Sequence, residues 1–203
     1  HERNKKFFLT VNTLPHNSKL KTFVSDMEPL IAMKPDALIM ADPGLIMTVR
    51  EKWPEMPIHL SVQANTTNYW GVKFWQNIGV ERIILSRELS MEEIAEIRQE
   101  CPDIELEVFI HGALCIAYSG RCLLSGYFNH RDPNQGTCTN SCRWDYKVHN
   151  AVESDAGDAQ LLQGFNFEKA QEEANQNFEG INGQKRHPYA DKVFLIEESN
   201  RPG

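Results

Sequence analysis

No run in this chain approaches the roughly 20 consecutive apolar residues that a membrane-crossing helix needs. The opening His-Glu-Arg-Asn-Lys-Lys has no apolar leader segment and no initiator Met, so we expect a piece of a longer protein without a secretion signal. There is no His-Glu-x-x-His zinc helix and no Gly-x-Ser-x-Gly elbow. Ser119 and Ser125 have no evident His–Asp pair spaced to activate them, so peptidase chemistry cannot be argued from these residues. A glycine-rich phosphate fingerprint is missing after the first apolar run, which counts against dinucleotide binding. Positive charge is also scarce: the net charge of −7 argues against a protein that coats nucleic acid non-specifically, while leaving room for a local basic site.

What is present is ordinary globular composition, 41% hydrophobic and 24% charged over 203 residues, enough for one domain with a sizeable insertion. The odd count of five cysteines, with no leader, favours metal or redox chemistry in a reducing, cytoplasmic setting over a disulfide framework.

Apolar β-branched runs alternate with helical periodicity. Strands are expected at Phe7–Asn12, Ala37–Met40, Ile58–Val62, Arg82–Leu85 and Ile104–Ile110. Between them, helices are expected after Ser18, after Asp42-Pro43-Gly44, over Thr67–Ile78 with Gly79 as the stop, and from Ser90 with Glu93 at capping-box spacing. The alternation predicts an α/β fold of parallel strands, and we expect a partial (β/α) TIM-like barrel over residues 1–149. Residues 150–190 read as a polar inserted arm, and 191–203 as a returning barrel strand cut short.

Four cysteines crowd the stretch Glu107–Tyr146, with six, fifteen and three residues between Cys115, Cys122, Cys138 and Cys142. Gly112, Gly120, Gly126, Pro133 and Gly136 lie among them and suit a backbone folded tightly around something small. Such thiolate sets hold zinc or iron–sulfur clusters; zinc knuckles prefer gaps of about two to four residues, and the longer gaps favour a cluster. Cys138-x-x-x-Cys142 begins a three-cysteine radical motif, but Asp145 stands where its third thiol belongs. Cys101, before Pro102, is expected to be a buried, inert thiol. Ligands of parallel α/β folds sit at the carboxyl ends of the strands, where this chain places Asn12, Asp42, Gln63, Asn65, Arg87, Glu88 and His111. The plain alternative for each is a helix cap, most of all for Asp42. Arg87 is the best ligand candidate because its guanidinium can grip a carboxylate in two parallel bonds. Arg121, His130, Arg131 and Arg143 interleave with Tyr118, Tyr127, Phe128 and Trp144, a mixture suited to RNA phosphates and bases or to an ordinary solvated loop.

The block EVFIHGALCIAYSGRCLLSGYFNHRDPNQGTCTNSCRW resembles the signature of the collagenase-like peptidase U family, as do LPHNSKLKTF, PDALIMADPGLIM, HLSVQANTTN, ILSRELS and KVFLIEE. The likeness spans nearly the whole chain and is similar above all to the family's tRNA-hydroxylating members. It implies prephenate-dependent 5-hydroxylation of the wobble uridine of tRNA, with a 4Fe-4S cluster on Cys115, Cys122, Cys138 and Cys142. From their position at the strand ends or beside the cysteine block, Arg87 or Arg131 is expected to hold the prephenate carboxylate, and His111, with Arg87 and Glu88, to serve catalysis. Asn12, Gln63, Asn65 and Arg131 would contact substrate. Collagenase-like proteolysis and a zinc-stabilised RNA-binding module stand as the alternatives.

Overall fold

The computed structural model describes residues 3–112, 115–153, 155–157, 159–161 and 193–200. The chain divides into two compact units, His1–Cys142 and Arg143–Gly203.

In the first unit five strands, β1 (Phe8–Val11), β2 (Ala37–Met40), β3 (Ile58–Leu60), β4 (Arg82–Ile84) and β5 (Glu105–Glu107), pair in parallel in sequential order. Between them lie α1 (Asn17–Leu20), α2 (Phe23–Ala32), α3 (Pro43–Lys52), α4 (Tyr69–Asn77) and α5 (Met91–Glu100). Local chemistry starts α3, α4 and α5 close to where the sequence signals do, whereas the helix expected after Ser18 is split into α1 and α2, neither with a side-chain cap. The Asp42 carboxylate accepts from Leu45 N at 2.9 Å with Pro43 at the first helical position, Asn68 accepts from Gly71 N at 2.9 Å, and Ser90 and Glu93 form a reciprocal capping box. Asp42 is therefore the cap expected of it.

Successive strand residues point to opposite faces, and the two faces differ in kind. Leu38, Met40, Ile58, Leu60 and Ile83 share one face and pack with Met27, Ile46, Val49, Val72 and Ile97 from the helices into a single core. The opposite face carries Phe8, Thr10, Ile39, His59, Arg82, Glu105 and Glu107, none of which joins that core. Arg82 there donates to Glu105 at 2.6 Å and to Glu107 at 3.4 Å. Sequential order with helices on one face is the winding of a (β/α) barrel, whereas a doubly wound sheet reverses its order and covers both faces. The fold is thus mixed α/β on a five-stranded parallel sheet.

Three expectations need correction. The fifth strand ends at Glu107, where Leu85 N makes its last ladder bond to Glu107 O at 2.9 Å, and Val108, Phe109 and Ile110 continue as exposed chain. The unit that holds the parallel sheet ends at Cys142, short of residue 149. Val193–Asn200 is a strand, β8, but not a returning barrel strand. It pairs antiparallel with β6 (Asp145–Glu153), whose other edge carries β7 (Ala159–Leu161) in a separate three-stranded sheet. The start of the expected polar arm is therefore β-structure, and residues 162–190 of that arm lie outside the described residues.

Candidate functional site

The strand ends of the first unit carry a short 3-10 turn at Val62–Ala64 after β3, and Ser86-Arg87-Glu88 after β4. The cysteine segment leaves β5 and lies across these ends. Arg87 Nη1 donates to Cys115 O at 2.8 Å, and its Nη2 to Ala117 O at 3.2 Å and Ser119 Oγ at 3.1 Å. Glu88 Oε1 accepts from Ser119 N at 2.9 Å, and Asn65 Nδ2 donates to Ser86 Oγ at 3.0 Å and to Glu88 Oε2 at 3.4 Å. Asn65 holds a left-handed φ of 51°, a conformation Asn tolerates better than most residues. Gly120, at φ +72°, lies directly on Gln63: a Cβ there would collide with the Gln63 carbonyl oxygen and stand 3.0 Å from its carbon.

A second set of contacts joins the segment to the chain after β1. Leu14 N donates to Asn134 O at 3.0 Å, and Asn134 Nδ2 donates to Cys122 O at 2.8 Å. Asn12 turns to Ser61, with Nδ2 at 3.0 Å from Ser61 Oγ. Within the segment, α6 (Leu124–Asn129) brings Ser125 under Cys138, whose sulfur receives the Ser125 hydroxyl at 3.8 Å and Asn140 N at 3.4 Å. Asn129 joins the same patch through Thr139 Oγ1 at 2.9 Å.

The expected site residues therefore separate into two groups. Asn12, Gln63, Asn65, Arg87 and Glu88 do meet at the rim, but their side chains or backbone are engaged with the cysteine segment and its supports. In particular, the Arg87 guanidinium expected to grip a substrate carboxylate is spent on two backbone carbonyls and a hydroxyl. His111 and Arg131 are exposed and have no side-chain partner among the described residues. Sequence reasoning weighed Ser119 and Ser125 only as nucleophiles and missed Asn134; the two serines are buried hydroxyls, whose polar character signals surface rather than packing. Neither hydroxyl has a histidine partner among the described residues.

Cys115, Cys138 and Cys142 are exposed, Cys122 is half-buried, and all four are free thiols. Thiolate donors of this number suit a soft metal or an iron–sulfur cluster, and N–H and O–H donors to the Cys138 sulfur are the contacts that tune such ligands. Among the described residues, however, no three Cys, His, Asp or Glu side chains converge as a metal-holding group. The donor set fits in chemistry and stands open in geometry. Cys101 is apart from it, 2% exposed in the core with its thiol pushed up by burial, as expected.

From Val108 to Cys142 the sole acid is Asp132, and it is occupied: its carboxylate accepts from Asn134 N at 2.8 Å and from Gln135 Nε2 at 3.2 Å. Exposed Arg121, Arg131, Tyr118 and Tyr127 share that segment with the thiols.

Residues 1–187 match the family described as Peptidase family U32. The chain belongs to peptidase family U32. Over 203 residues this U32 chain is 59% identical to tRNA hydroxylation protein P of Escherichia coli (strain K12), matching 100% of this chain and 43% of that protein. To tRNA hydroxylation protein P of Haemophilus influenzae it is 58% identical over 202 residues, again 100% of this chain and 43% of the relative. A 23S rRNA 5-hydroxycytidine synthase of Escherichia coli is 36% identical over 148 residues, 73% of this chain and 22% of that enzyme. This U32 chain thus spans less than half the length of these curated relatives.

Proposed function

We propose that this chain is the thiol-bearing part of a tRNA hydroxylase acting on the wobble uridine, with Cys115, Cys122, Cys138 and Cys142 as ligands of an iron–sulfur cluster. The observation that carries the reading is the docking of an acid-poor, four-thiol segment onto the strand ends, where barrel enzymes do their chemistry. The names of the relatives supply the reaction class: two hydroxylate tRNA and a third makes hydroxycytidine in rRNA. When bound, such a cluster supplies one-electron redox chemistry at the rim. This chain's own residues do the binding and positioning. Arg131, exposed and without a side-chain partner among the described residues, offers a cation to the carboxylate of prephenate as co-substrate, and exposed His111, in the segment that follows β5, offers a group able to carry a proton. Tyr118 and Tyr127 present ring faces on which an unstacked base can rest.

The test uses the full-length protein. Anaerobic preparation is expected to yield a coloured protein containing iron and sulfide. Cells lacking the gene should lose hydroxyuridine from tRNA and regain it with the wild type but not with Cys115→Ser or Cys138→Ser. A colourless protein holding one zinc would replace the cluster with a zinc-stabilised RNA-binding module. Unchanged tRNA in the deletion strain would refute the hydroxylase reading. Chelator-sensitive cleavage of denatured collagen, lost in Cys115→Ser, would favour the peptidase.

A further inference from the structure

We propose that Arg87 and Glu88 are positioning residues. They dock the Cys115–Gly120 turn on the strand ends, and so set where the Cys115 and Cys122 thiols stand.

The two residues are consecutive at the end of β4 and complementary in what they take. The cationic fork collects the carbonyls of Cys115 and Ala117, and the carboxylate collects the amide of Ser119. Ser119 Oγ lies between them, within 3.1 Å of Arg87 Nη2 and 3.3 Å of Glu88 Oε1. Arg87 Nη2 and Glu88 Oε1 stand 3.9 Å apart, so each charge supports the other while both are spent on the turn. Their side chains are 13% and 22% exposed, which keeps water from competing fully for the same bonds. Asn65 braces Glu88 from the β3 side, and Gly120 closes the dock by resting on Gln63.

The dock therefore belongs to the core: every group that grips the turn comes from the ends of β3 and β4. Three residues beyond the Ala117–Ser119 grip, Cys122 is held in the same way, through its carbonyl, by Asn134. Three of the five N–H donors of Arg87 are used on the turn, so a substrate carboxylate gripped by both Nη atoms would have to displace carbonyls they already hold. Holding the turn is thus a different task from holding prephenate, and the two make different predictions.

The inference rests on the reading that the four thiols hold a metal group, and the experiment separates one from the other. Amide hydrogen exchange is measured by mass spectrometry on full-length, reduced, metal-free protein, comparing wild type with Arg87→Ala, Arg87→Lys and Glu88→Ala. Peptide 115–122 should exchange at least tenfold faster in Arg87→Ala and Glu88→Ala, with Arg87→Lys between these and wild type, while peptides from β2 and α3 do not change. Should Arg87→Ala destabilise the sheet itself, the β2 and α3 peptides report it and Arg87→Lys carries the comparison. Equal exchange of peptide 115–122 in all four proteins overturns the proposal. Metal content is the second readout. A docking difference in a wild type that binds no metal keeps the dock and removes the metal reading. Unchanged metal and exchange in Arg87→Lys, with a raised KM for prephenate, would return Arg87 to substrate binding and overturn the proposal.

Discussion

Replacing Gly120 with Ala should unseat the cysteine segment without unfolding the sheet. Two costs add. A left-handed φ of +72° costs a residue with a Cβ about 1 kcal/mol. The new methyl also cannot fit, because its place is taken by the Gln63 backbone, so the turn must lift. Lifting breaks at least one bond to a charged partner, Glu88 or Arg87, worth about 2 kcal/mol at these partly buried sites. Together about 3 kcal/mol shifts the docking equilibrium on the order of 100-fold. Arg121 follows Gly120 directly, is exposed, and is a site for trypsin, which needs an extended, undocked backbone to cut. Limited proteolysis of the full-length protein should therefore cleave after Arg121 on the order of 100-fold faster in Gly120→Ala, with the sheet fragments intact. Gly126→Ala is the control, since a Cβ there meets nothing within 4 Å. An unchanged rate after Arg121 would refute the docked geometry.

Four further outcomes are expected. In native, reduced, metal-free protein an alkylating reagent should label Cys115, Cys122, Cys138 and Cys142 but reach Cys101 only after denaturation, since burial raises that thiol and hides it; mass spectrometry of labelled peptides decides. Ser90→Ala removes the capping box of α5 and should lower stability by about 1 kcal/mol in urea unfolding. Leu60→Ala, at a fully buried position, should cost about 3 kcal/mol in the same assay. His59 is held below the ordinary histidine value of 6.5, first by burial and then by Arg82. Below about pH 6.5 the unfolded chain takes up a proton that the folded imidazole refuses. Stability should fall as pH drops through that value and level off beneath the folded one. His59→Gln should flatten that part of the profile, and identical profiles would exclude the contribution.

The sheet was readable because each signal is local. Leu9, Ile39, Leu60 and Ile84 sit in short β-branched runs, and Asp42, Asn68 and Ser90 stand one residue before the helices they cap. The site was readable only as an inventory. The partners of Arg87 lie 28 to 32 residues further along the chain, and no periodicity announces a bond between a guanidinium and a distant carbonyl. The second sheet escaped for a related reason: Lys147, His149 and Asn150 make Asp145–Glu153 look like a polar loop, and its antiparallel partner begins at Val193. Val108 to Ile110 misled in the opposite sense, since an apolar run extends a strand only where a neighbour can receive its hydrogen bonds.

The grip on the cysteine turn takes hold of main-chain atoms, the carbonyls of residues 115 and 117 and the amide of 119. Ile116 and Tyr118, at the positions in between, project 84% and 64% exposed and take no part in it. Their identities can therefore drift, or be chosen, without disturbing the seat beneath them. The turn works as an interchangeable face on a fixed mount: the side chains at these two positions can change while the backbone that carries the thiols beside them stays seated.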